Sequence, residues 1–103
     1  MRTQYIRSLP PRWEKYSRLY HALGDPQRQK ILLLFEAGER LTIKQIADAF
    51  PVSRTAVVHH LRVLQEAGVL RRSRAGREVR LWIDKRRVVD TIQRVARFIE
   101  QHA

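Results

Sequence analysis

Trp13, Tyr16, Tyr20 and Leu23 recur at intervals of three and four residues, the spacing of one helical face, and predict a first helix over residues 12–23. Gly24-Asp25-Pro26 then reads as a stop and restart: glycine ends one helix, aspartate caps the next and proline suits its first position. The second helix is expected to run to about Ala37, with Ile31, Leu32, Leu34 and Phe35 in the core and Gly38 closing it. Thr42 opens a third helix, and Gln45 three residues later completes a capping box. Ile43, Ile46, Ala47 and Phe50 form its buried face, and Pro51 prevents continuation. Ser53 caps a fourth helix reaching about Ala67, with Val57, Leu61 and Leu64 inward and Gly68 at its end.

Beyond Gly68 the period changes. Val79, Leu81 and Ile83 alternate with Glu78, Arg80 and Trp82, the pattern of a half-buried strand, and Ala75-Gly76 marks a turn before it. A last helix is expected over residues 85–101, with Val89, Ile92, Ala96 and Ile99 on one stripe. Only Pro51 and Val52 separate the third and fourth helices, which describes a helix-turn-helix. A hairpin directly after the second of these helices is a wing. The expected fold is therefore mainly α with a β-hairpin wing, in the order α-α-α-α-β-β-α. Residues 1–11 read as a loose basic arm, and residues 12–103 as one domain.

Charge sharpens this picture. The 21 Lys and Arg against 10 Asp and Glu give a formal net charge of +11, which favours a polyanionic partner, either nucleic acid or an anionic membrane surface. The charge is clustered: Arg71, Arg72, Arg74, Arg77 and Arg80 stand within ten residues of the wing, opposed only by Glu78. No apolar run has transmembrane length and no leader-like segment opens the chain, so a cytoplasmic location without membrane partners is expected. The absence of cysteine excludes disulfides and thiolate metal sites. No phosphate loop, cysteine nucleophile or paired carboxylates support an enzyme.

Three stretches resemble the ArsR/SmtB repressors: Ala22-Leu23-Gly24-Asp25-Pro26-x-Arg28; Ile43-x-x-Ile46-Ala47; and Ser53-x-x-x-Val57-x-His59-His60-Leu61-x-x-Leu64, continuing through Gln65-Glu66-Ala67-Gly68-Val69-Leu70. The Gly76-Arg77 turn matches as well. The resemblance covers residues 19–101 and is most specific from His59 to Leu70. It implies a homodimer built from the first and last helices, bound to an inverted repeat in double-stranded DNA and released by an effector, often a metal ion.

Within that frame the fourth helix enters the major groove. Thr42, Ser53, Arg54, Thr55, Val58, His59 and Arg62 are the expected contacts, joined by Arg72, Arg74 and Arg77 of the wing. Arg54 is placed to reach guanine or to hold a phosphate, and Thr55 and His59 to reach base edges or backbone. The family usually has serine where this chain has Val58, which opens an apolar contact to a thymine methyl instead. His60 is expected to make a structural hydrogen bond. Trp13, Tyr16 and Tyr20 of the first helix, with Val89, Ile92, Ala96 and Ile99 of the last, are the expected dimer contacts; packing within their own domain is the other reading of the aromatic stripe.

The family's metal sites do not transfer. Residues 41–49 hold no cysteine, and the last-helix zinc pattern falls on Asp84, Arg86, Arg97 and Glu100, or one place on, Lys85, Arg87, Phe98 and Gln101. Neither register supplies a histidine for zinc. No metal or cofactor is therefore expected, and an unknown small-molecule effector is left open. The alternatives are a metal-responsive repressor with a non-standard site, and a winged-helix architectural or protein-interaction module.

Overall fold

A helix that ends and restarts within three residues leaves carbonyls on one side and amides on the other to be satisfied. The computed structural model describes all 103 residues, and α1 (Pro11–Leu23) and α2 (Pro26–Leu32) meet at this break. The Asp25 carboxylate accepts from the backbone N–H groups of Gln27 at 2.8 Å and Arg28 at 3.2 Å, capping α2. The Arg28 N–H above all, with that of Gln27, holds this carboxyl below its ordinary pKa of 3.8.

Arg28 itself is only 6% exposed. Its Nε donates to the Ala22 carbonyl at 2.8 Å and its Nη2 to the His21 carbonyl at 3.0 Å. Its Nη1 lies 3.3 Å from His60 Nδ1. A guanidinium has no acceptor to offer, so His60 Nδ1 accepts, which leaves the ring proton on Nε2. The expected structural role of His60 is met in this way: one arginine of α2 ties the C-terminal end of α1 to α4.

The remaining elements are β1 (Leu41–Thr42), α3 (Ile43–Asp48), α4 (Arg54–Glu66), β2 (Leu70–Ala75), β3 (Glu78–Ile83) and α5 (Lys85–His102). The strands form one antiparallel sheet in the order β1-β3-β2. Leu41 faces Leu81 across β1 and β3, and Leu70 to Ala75 face Ile83 to Glu78 across the wing. The core gathers Leu19 and Ala22 of α1, Ile31 of α2, Ile46 of α3, the Val57, Leu61 and Leu64 stripe of α4, and Leu70 and Leu81 of the sheet.

Three expectations change. The second helix ends at Leu32, well short of Ala37, and the chain turns through Leu33, which is 83% exposed. The reason lies downstream: residues 33–40 must deliver Leu41 and Thr42 to the edge of β3, a pairing that local periodicity does not show. Leu34 and Phe35 still pack against the core. Secondly, β1 makes the order α-α-β-α-α-β-β-α and the sheet three-stranded. Thirdly, Tyr16, expected at a dimer surface, is 7% exposed within its own chain. Trp13 meets it edge-on at 5.2 Å and meets Phe98 of α5 at 5.0 Å, because the Phe98 face of α5 lies on α1.

Replacing Arg28 with methionine keeps much of the volume but orphans His60 Nδ1 and the Ala22 carbonyl, and leaves the His21 carbonyl with the Gly24 N–H alone. The expected loss is about 2–4 kcal/mol in urea unfolding near neutral pH; a loss below about 0.5 kcal/mol would show that this node is not a stabilising one. Because the Asp25 carboxyl is held low, the stability it contributes is present above its ordinary value and is lost as pH falls through the lowered one.

Candidate nucleic-acid interface

Burial of Val57, Leu61 and Leu64 fixes which side of α4 faces outward. Arg54, Thr55, His59 and Arg62 are exposed, and Val58 is half-buried. Thr55, His59 and Arg62 share the face opposite the core stripe by helical spacing. The Ser53 hydroxyl accepts from the Ala56 N–H at 3.2 Å, and Thr42 Oγ1 accepts from the Gln45 N–H at 3.1 Å. The Thr42 N–H is met in return by the Gln45 side chain at 2.8 Å. Both hydroxyls are thus spent as caps through their oxygens, and each keeps its proton to donate. The N-terminus of α4 adds its partial positive charge where an anion would approach.

The wing stands beside this helix. Gly76 takes a φ of +62° at the first position of the two-residue turn, as hairpin twist favours, and leaves Arg77 at the tip. Arg74 Nε donates to the Gly76 carbonyl at 3.2 Å, which folds its guanidinium over the same tip. Strand register places Arg72 and Arg74 on the face of Leu81 and Val79, and Arg71 on the face of Trp82. Arg80 is paired with Glu78 at 3.1 Å and Arg71 lies 4.0 Å from Asp84. Arg54, Arg62, Arg72, Arg74 and Arg77 have no carboxylate within 4.0 Å. The structure therefore brings the expected helix and wing residues onto neighbouring elements and leaves their charge uncompensated.

The sheet also carries a row of cations that local pattern does not announce. The Arg40 guanidinium lies 3.9 Å from the centre of the Trp82 ring, with Arg71 at 5.9 Å. The three form a row across the sheet, worth about 0.5–1 kcal/mol for an exposed cation–π contact. Arg40 directly precedes β1, so the row depends on the β1–β3 pairing. On metals, the His59 and His60 rings are tilted and 5.8 Å apart, and no group of three or more His, Asp or Glu side chains is placed to hold an ion within the chain. Asp84, the first position of the family's last-helix pattern, caps α5 by accepting from the Arg87 N–H at 3.1 Å. No helix is long and apolar enough to cross a membrane.

The profile of a family described as a helix-turn-helix domain matches residues 23–73. The transcriptional repressor SdpR of Bacillus subtilis is 31% identical over 83 residues, covering 81% of this chain and 91% of that protein. The chain belongs to the ArsR/SmtB family of winged helix-turn-helix transcriptional regulators. The repressor SmtB of Mycobacterium tuberculosis is 36% identical over 72 residues, 68% of this chain and 53% of that protein. The solved structure of an ArsR-like transcriptional regulator from Rhodococcus superposes with a TM-score of 0.77 at 26% identity, covering 86% of this chain and 83% of that one. Membership makes this a DNA-binding protein, and the uncompensated arginines of α4 and the wing are of the sign that DNA requires.

Arg74→Ala and Arg77→Ala should weaken binding to specific and unrelated duplexes alike, and for each phosphate no longer neutralised the slope of log affinity against log salt should fall by about 1. An unchanged slope in the double variant would place the wing tip off the DNA.

Proposed function

We propose that the chain is a sequence-specific repressor that binds an inverted-repeat operator as a homodimer and does not use the family's known metal sites. The observation that carries the DNA reading is the pairing of an exposed polar face on α4 with a wing whose tip arginines have no acidic partner. Direct readout falls to Arg54, Thr55 and His59, with Arg62 on the same side and Val58 offering an apolar edge. Thr42, Ser53 and Arg72 hold phosphates, and Arg74 or Arg77 reaches into the minor groove.

The dimer is carried by α5. Its residues Val89 (43% exposed), Ile92 (41%), Ala96 and Ile99 (56%) lie along one stripe, and no residue of this 18-residue helix is buried in the single chain. The side turned toward α1 instead bears Arg94 and Phe98. Leaving the apolar stripe in water is costly, and a second copy related by two-fold symmetry covers it with its own. Tyr20, 41% exposed on α1, and Trp13 are proposed to join this interface. Two recognition helices related by that axis then match an inverted repeat, with half-sites about one DNA turn apart.

Fluorescence anisotropy against the chain's own upstream DNA and a scrambled duplex tests the repressor reading. The expected result is a preference of about a hundredfold or more at physiological salt, unchanged by zinc. Equal affinity for both duplexes would point to an architectural role, no binding to a protein-interaction module, and a stoichiometric submicromolar zinc site in calorimetry would restore a metal sensor. If the dimer neutralises roughly six to ten phosphates, affinity falls about 10³- to 10⁵-fold between 50 and 200 mM salt. For the interface, Ile92→Glu with Ile99→Glu should give a folded monomer in sedimentation equilibrium and lose operator affinity. A double variant that still sediments as a dimer would place the interface elsewhere.

A further inference from the structure

We propose that the cleft where α1, the C-terminal turn of α4 and α5 converge is a binding site for a small polyvalent anion, a compound bearing two or more carboxylate or phosphate charges. The cleft has a volume of about 280 Å³. Arg12, Lys15 and Arg18 of α1 form one wall, and Arg87 and Arg94 of α5 the other. Glu66 and Asp90 are its only acids, so five cations face two carboxylates. Asp90 is committed to Arg94 at 2.9 Å, a bond that raises the arginine pKa. The other four cations have no carboxylate within 4.0 Å.

Two features separate this cleft from an ordinary solvated basic face. Its base is apolar and concave, made by the buried Tyr16, Leu19 and Ala67. And Arg87 packs closely on main chain. Gly68 has a φ of +79°, and a methyl group there would collide with the Nε and Cδ of Arg87, so the arginine lies across the turn between α4 and β2. The Thr91 hydroxyl adds a neutral donor to the same wall. Glu66 and the carbonyl end of α4 are the one unfavourable side, which directs an anion toward the α1 and α5 cations.

DNA is not the fitting occupant. The helix end that reads DNA is at Ser53 and Arg54, and the cleft lies at the other end of the 13-residue α4, about 20 Å along its axis. The volume is just below the roughly 300–1,000 Å³ of drug-sized ligand sites, which suits a small anion. The site touches Ala67, where the recognition helix ends before the chain passes into the wing, and its Arg87 packs on the neighbouring Gly68. The inference goes beyond the DNA-binding reading, and its test needs no DNA.

Thermal unfolding is measured with pyrophosphate and with citrate, against sodium chloride of equal ionic strength. At about ten times its dissociation constant, a bound anion should raise Tm by about 5 °C or more and the effect should saturate. Arg12→Gln with Arg18→Gln should abolish the shift, while Arg74→Gln with Arg77→Gln, the same charge change at the wing, should leave it intact. A shift with pyrophosphate alone identifies phosphate chemistry, with citrate alone polycarboxylate chemistry, and either supports the site. No shift in the wild type, a shift matched by sodium chloride, or equal loss in both double variants would overturn it. Should the α1 double variant not fold, Lys15→Gln carries the same test by calorimetric titration of pyrophosphate: affinity several-fold weaker supports the site, and unchanged affinity refutes it.

Discussion

A buried guanidinium with its hydrogen bonds met from three directions anchors the helical half of this protein. Arg28 donates to the Ala22 and His21 carbonyls in the last turn of α1, the second shared with the Gly24 N–H, and to His60 on α4. The break at Gly24-Asp25-Pro26 makes this possible, since it turns α2 back so that an arginine three residues past the cap points at the end of α1. Burying such a charge is expensive unless it is fully bonded, and no buried side-chain nitrogen or oxygen is left without a partner. The arginine therefore holds α1, α2 and α4 in one relative arrangement. Together with the burial of Val57, Leu61 and Leu64, this seats α4 with its polar face outward.

A second junction joins α4, the wing and α5. The Asp84 N–H donates to the Val69 carbonyl at 2.9 Å, its carboxylate caps α5, and Arg71 lies 4.0 Å away. Arg87 crosses Gly68 at the same place. Six of the ten acids are engaged by structure: Asp25 and Asp84 as caps, Asp48, Glu78 and Asp90 as partners of Lys44, Arg80 and Arg94, and Glu39 as acceptor for the Glu36 N–H. Nine of the cations without an acidic partner gather in two places, Arg54, Arg62, Arg72, Arg74 and Arg77 on the α4–wing surface and Arg12, Lys15, Arg18 and Arg87 in the α1–α5 cleft. Net charge alone favours any polyanion. It is the placement of the few acids that leaves one region an open basic surface and the other a basic pocket.

Most helix starts were legible because their signals are local. Asp25, Thr42 and Ser53 each cap the helix their position implied, and the Thr42–Gln45 capping box is fully formed. The Val79, Leu81 and Ile83 alternation and Gly76 gave the hairpin, and the cluster of wing arginines followed from its place beside α4. The early end of α2, the strand β1 and the row of Arg40, Trp82 and Arg71 were not legible, and for Tyr16 the pattern left open the choice between its own core and a dimer surface.

The amino-acid sequence by itself determined the caps, the turns, the inward stripe of α4 and the basic character of the wing, since each depends on residues within a turn or a strand of one another. Only the tertiary structure decided where Arg28 and Arg87 point, that a two-residue strand pairs with β3, and that α5 lays its Phe98 side on α1 while its apolar stripe stays exposed. These depend on groups as far apart in the chain as Arg28 and His60 or Leu41 and Leu81, brought together by packing and by the demand that every buried polar group find a partner, which neither periodicity nor composition records.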